Sequence, residues 1–178
     1  AQEKVVSIFE PHTDIIVKDR RDTLYGHKIF LTTGASTMIL DCVVEEGNPA
    51  DSTLAEKMIA RQKILYKRPP RQAALDGGFS SRPNLEAIKL MGVKDVAFSK
   101  GRGLKVSEMV KSSWVYKQLR NFRAGVEGSI SFLKRCFGLD RCAWHGFESF
   151  KSYVWSSIVA ANLLIMARHR LAAAAANG

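Results

Sequence analysis

Cysteine is scarce in this sequence: Cys42, Cys136 and Cys142 are the only three in 178 residues. An odd number argues against a disulfide framework, and no signal-peptide pattern opens the chain, so a reducing cytoplasm is the expected compartment. The two later cysteines and His145 match no standard zinc spacing, which leaves core positions as the expectation for the thiols. Hydrophobic runs of membrane length are also missing. The longest, Val154 to Ala167, is broken by Ser156, Ser157 and Asn162 and stops short of the ~20 residues that a bilayer demands. It predicts a buried helix and no membrane partner. Proline is sparse at five, and neither a Pro/Gly-rich linker nor an internal repeat interrupts the chain. One domain over residues 1–170 is therefore expected, with a disordered alanine-rich tail over 171–178. Acidic residues are too few to balance the basic ones. The 17 Asp and Glu against 27 Lys and Arg give a net charge of +10, a field that draws polyanions or acidic surfaces. What is plentiful, 46% hydrophobic and 25% charged residues, describes a soluble globular chain.

The pattern along the chain is α/β. Gly26 to Thr33 and Thr37 to Glu45 are β-rich runs separated by Gly34-Ala35-Ser36, which predicts an antiparallel hairpin. Lys4 to Phe9 is a further β-rich piece. Asp51 and Ser52 stand at a helix N-cap, and Leu54, Met58, Ile59 and Leu65 carry a helical period to Tyr66 before Pro69-Pro70. Gln72 to Leu75 reads as a short strand running into Asp76-Gly77-Gly78. Ser81 and Pro83 start a helix that Gly92 stops, and Val93 to Phe98 is a second buried strand. Strand, helix and strand with short links predict a right-handed βαβ unit, so the sheet is mixed. From Val106 the pattern is helical, with breaks at Phe137-Gly138 and His145-Gly146. Trp114, Trp144 and Trp155 are expected in the core.

Two carboxylates stand apart from the general charge. On the helix predicted over Ser113 to Phe137, the apolar stripe is Leu119, Phe122, Val126, Ile130, Leu133 and Phe137, and Arg123, Glu127, Ser131 and Lys134 form a neighbouring stripe. By spacing alone this is also how a solvated face of i, i+4 charge pairs is built. Asp76 lies at the carboxyl end of a predicted strand, where open α/β sheets bind ligands. An Asp-Gly pair equally makes a simple turn. Together, Asp76 and Glu127 suggest a site for Mg²⁺ or Mn²⁺ on an enzyme that handles phosphodiesters, with Arg123 and Lys134 meeting phosphate or orienting Glu127. Lys67, Arg68, Arg71, Lys100 and Arg102 are candidate DNA-phosphate contacts, or ordinary solvated charge.

The run YKQLRNFRAGVEGSISFLK, Tyr116 to Lys134, resembles the signature of DDE-type bacterial insertion-sequence transposases, in which an Arg, the catalytic Glu and a Lys follow one another at the spacing of Arg123, Glu127 and Lys134. The family often has Tyr three residues before that Arg, where this chain has Arg120. ALDGGFSS, Ala74 to Ser81, resembles the segment carrying the second catalytic Asp, and YGHKIFLTT and the segment Gly47 to Ser52 resemble its surroundings. The resemblance implies a ribonuclease-H-like mixed sheet flanked by helices, with a helical C-terminal part. It implies metal-dependent DNA hydrolysis and strand transfer at transposon ends, a cytoplasmic, nucleoid-associated location, and a homodimer with full-length transposase. It gives Asp76, Glu127, Arg123 and Lys134 catalytic roles, with Asp76 and Glu127 as metal ligands. His27 falls in the family's Gly-His-Lys segment, where a structural or phosphate-proximal role is expected.

The family's first catalytic Asp precedes the Tyr-Gly-His-Lys strand. Asp14, Asp19, Asp22 and Asp41 do not occupy that context, so the first strand is expected to be missing and activity impaired. The alternative is a non-enzymatic basic DNA-binding domain or a degenerate transposase remnant.

Overall fold

The structure is a computed structural model and describes residues 7–18 and 22–176. The chain divides into two compact units rather than the single one expected: Pro49–Glu127 form the second, inserted between the two halves of the first. No linker announces this, because one boundary falls inside a continuous helix.

In the second unit, β5 (Gln72–Leu75) and β6 (Asp95–Phe98) pair in parallel, Gln72 opposite Asp95 and Leu75 opposite Phe98, with α2 (Arg82–Leu90) between them. This is the expected βαβ unit. Ser81 caps α2 as its hydroxyl accepts from the Asn84 amide at 3.2 Å, and Gly92 follows the helix at φ +101°, a conformation that costs glycine little. Helix α1 (Ala55–Tyr66) starts later than expected. Asp51–Thr53 form a 3₁₀ turn, and Leu54, which has no side-chain cap bond, precedes α1. The core joins Ile59 of α1, Leu85 and Ile88 of α2, Val96 and Phe98 of β6, Met109 of α3 (Val106–Met109), and Val115 and Leu119 of α4 (Ser113–Phe137). Asp95 is buried among these groups, where desolvation opposes its charge. The Gln72 side chain and the Lys111 amide donate to it and outweigh that cost, holding its pKa below the usual aspartate range.

In the first unit, β1 (Asp14–Lys18) pairs antiparallel with β2 (Asp22–Gly26), and β3 (Ile29–Thr33) with β4 (Ile39–Val44). The second pair is the expected hairpin, although its first strand begins at Ile29. Part of the Lys4 to Phe9 run lies outside the described residues, as does Asp19, and Ser7 to Phe9 are not strand. Helix α5 (Phe147–Ala176) packs Val154, Ile158 and Ala161 on Ile39 and Cys42 of β4 and on Leu133. The Asn162 amide closes the contact, accepting from the Ile39 amide at 2.9 Å and donating to its carbonyl at 2.8 Å.

Three expectations are corrected here. Helix α5 is not buried all round: one face packs, while Trp155, Val159 and Leu163 are exposed, and by length and composition alone the helix could cross a membrane. It also continues through the alanines to Ala176, since alanine is the strongest helix former. Trp114 and Trp144 are exposed like Trp155, and of the cysteines only Cys42 is buried. Among the described residues the strands form three separate pairs rather than one sheet: each ladder joins strands that are near neighbours in sequence.

His27 is structural. Its Nδ1 meets Asp14 at 3.0 Å and its Nε2 meets Nδ1 of His12 at 2.8 Å, with the imidazole rings stacked and Phe147 and Phe150 against His27.

Candidate active site

The site is built within the second unit from the ends of two parallel strands and one face of α4. Asp76 follows β5 directly. Its Oδ1 accepts from the Gly77 amide at 2.7 Å, starting the 3₁₀ turn Gly77–Phe79, and from the Ser99 hydroxyl at 2.8 Å. Ser99 is brought there by the ladder, since the Leu75–Phe98 pairing is extended by the Ser99 amide donating to the Leu75 carbonyl at 3.0 Å. The other oxygen, Oδ2, faces Nη2 of Arg123 at 3.2 Å, and Nη1 of the same guanidinium meets Glu127 at 3.4 Å. Both carboxylates therefore rest on one cation, which places their oxygens within about 9 Å of each other.

The two glycines are needed for this packing. A Cβ at Gly77 would stand 3.0 Å from Cβ of Lys100, and one at Gly78 only 2.6 Å from an Asp51 carboxylate oxygen. Arg123 is largely enclosed, whereas Asp76 and Glu127 keep much of their side chains open to solvent. Partial burial works to raise the Asp76 pKa, but the Ser99 and Gly77 hydrogen bonds and the Arg123 charge prevail, so it titrates below the usual aspartate range. Asp76 is thus a carboxylate anion at neutral pH.

Hard oxygen donors of this kind fit Mg²⁺ or Mn²⁺. Two carboxylates converge on a positive charge that a divalent cation could share or replace. Among the described residues no cluster of three His, Cys, Asp or Glu side chains joins them.

Three of the four catalytic residues expected from sequence, Asp76, Arg123 and Glu127, come together. Lys134, further along α4 in the first unit, pairs with Asp140 at 3.9 Å. Of the basic candidates, Lys100 packs beside Gly77. Lys67 ends α1 in the left-handed conformation at φ 59°, and Arg102 adopts φ 43° in the loop after β6. Arg68 and Arg71 are exposed between α1 and β5, and the Arg71 carbonyl accepts from the Lys94 amide. Ser99 and Asp51 were not anticipated. Ser99 had a signal, being the residue after the second parallel strand at the same sheet edge as Asp76. Asp51 had none beyond its turn context.

An acid at a β-strand tip and an acid with an Arg one helical turn before it agree with what a family comparison finds. A model of the transposase DDE domain matches residues 13–163, and the chain belongs to that family. The family is one of transposition enzymes that cut and join DNA, generally with divalent metal ions. No curated protein and no solved structure matches the chain.

Proposed function

We propose that this chain performs metal-dependent phosphodiester hydrolysis and strand transfer at transposon ends, on a ribonuclease-H-like arrangement, with Asp76 and Glu127 as ligands of Mg²⁺ or Mn²⁺. The observation that carries this reading is the convergence of those two carboxylates on the Arg123 guanidinium. A bound divalent ion would supply activation of the attacking oxygen and neutralisation of the leaving one. Asp76 presents an anionic Oδ2, fixed because its other oxygen is already hydrogen-bonded. Arg123 holds Glu127 and keeps the two negative charges together until substrate arrives, then offers donors to phosphate. Lys134 adds a second cation on the same helix. Lys67, Arg68, Arg71, Lys100 and Arg102 contribute salt-sensitive phosphate contacts. The protein acts in the bacterial cytoplasm at the nucleoid, as a homodimer with full-length transposase.

A second reading, a non-enzymatic DNA-binding domain or transposase remnant, is favoured by one observation: two carboxylates without a third partner among the described residues. On either reading the chain alone cuts poorly, and efficient Mg²⁺-dependent plasmid nicking would contradict that impairment. Mn²⁺ titration separates the readings. The enzyme reading expects binding that Asp76→Asn and Glu127→Gln each abolish. Absence of binding, or binding indifferent to both changes, overturns it.

A further inference from the structure

We infer that Ser99 is a specificity-determining positioning residue, selecting small divalent cations over Ca²⁺ by restricting Asp76 to a single coordinating oxygen. The inference rests on the proposed metal site and adds to it. Oδ1 of Asp76 is engaged by two donors, the Gly77 amide at 2.7 Å and the Ser99 hydroxyl at 2.8 Å, while Oδ2 alone faces Arg123. A carboxylate tied in this way cannot readily turn both oxygens to one ion. Mg²⁺ and Mn²⁺ accept one oxygen per carboxylate in octahedral coordination, whereas Ca²⁺ is larger, takes more oxygens and often binds carboxylates through both. The Gly77 amide belongs to the turn and cannot be varied by side-chain choice. The Ser99 hydroxyl is the adjustable half of the restraint.

Ser99 is also held in place independently of Asp76. Its amide donates to the Leu75 carbonyl at 3.0 Å, so the sheet fixes its backbone. Gly77 leaves room for its hydroxyl, because a Cβ there would stand 3.4 Å from Ser99 Oγ. Removing the hydroxyl therefore frees Oδ1 without dismantling the ladder.

The test measures Mn²⁺ and Ca²⁺ affinities by calorimetry on the full chain, for wild type, Ser99→Ala and Ser99→Thr, with circular dichroism checking the fold. Loss of one hydrogen bond should narrow the Mn²⁺/Ca²⁺ preference about fivefold in Ser99→Ala, and Ser99→Thr, which keeps the hydroxyl, should retain it. A merely structural role would weaken both ions in proportion and leave their ratio unmoved, which overturns the inference while leaving the metal site intact. A ratio that shifts equally in Ser99→Thr also overturns it. Failure of the wild type to bind Mn²⁺ defeats the metal-site reading itself.

Discussion

Replacing Arg123 by Gln removes the one positive charge on which both acids of the candidate site rest, and its effect should reverse when a divalent cation is added. The guanidinium lies 3.2 Å from Asp76 and 3.4 Å from Glu127, and its side chain is only 15% exposed. The carboxylates are 52% and 72% exposed, so solvent screens each pair to below about 1 kcal/mol. Adding the packing of the enclosed arginine stem, Arg123→Gln should lose about 1–2 kcal/mol without divalent ions. For a chain of this size that is a fall of roughly 3–6 °C in Tm. A divalent ion at about 100 times its Kd contributes about 2.7 kcal/mol to a folded state that alone binds it. The variant should therefore recover most of its loss in Mn²⁺. Wild type should gain less, because its guanidinium opposes the incoming ion. Thermal unfolding followed by circular dichroism, with Mn²⁺ and with chelator, reads both shifts. A Mn²⁺ shift in Arg123→Gln no larger than that of wild type would refute the idea that the arginine stands in the cation's place.

Other consequences follow from the packing and from the acids. Gly78→Ala should cost about 1–2 kcal/mol, because its Cβ would fall 2.6 Å from the Asp51 carboxylate; in an Asp51→Ala background the same change should cost less, and additive costs in urea unfolding would exclude the clash. Phe98, with no exposed surface at the centre of the second unit, should cost about 3–5 kcal/mol on change to Ala; a loss below 1 kcal/mol would show that this core is not packed as described. Glu10 accepts from His145 at 2.8 Å, from the Gly146 amide at 3.0 Å and from His12 at 2.6 Å, and these contacts hold its pKa below the ordinary glutamate value. Its contribution is therefore present above the unfolded-state pKa and lost as pH falls through the lower folded value. Denaturation curves of wild type and Glu10→Gln should converge in acid and separate toward neutral pH; a gap that widens on acidification would reverse the sign and reject the assignment.

The local elements were legible where side-chain period and punctuation agree. Ser113 to Phe137 was read at its true limits, and Ser81, Pro83 and Gly92 marked both ends of α2. The β1–β2 hairpin was missed because its connection carries no Gly-Asn or Asp-Gly turn signal and its strands lack a clean alternation. Exposure of α5 was misjudged because a run apolar on every side does not say how much of its surface a partner covers. The sequence by itself determined which chemistry is on offer: an acid after a strand, an Arg and a Glu one turn apart on a helix, and an excess of positive charge. Only the tertiary structure decided that Asp76 and Glu127 meet on Arg123, that Ser99 holds one oxygen of Asp76, and that Lys134 is held by Asp140. The reason is physical: spacing along a helix or strand fixes direction only within that element. Which groups come within hydrogen-bonding reach across elements depends on how β5, β6 and α4 pack around Phe98.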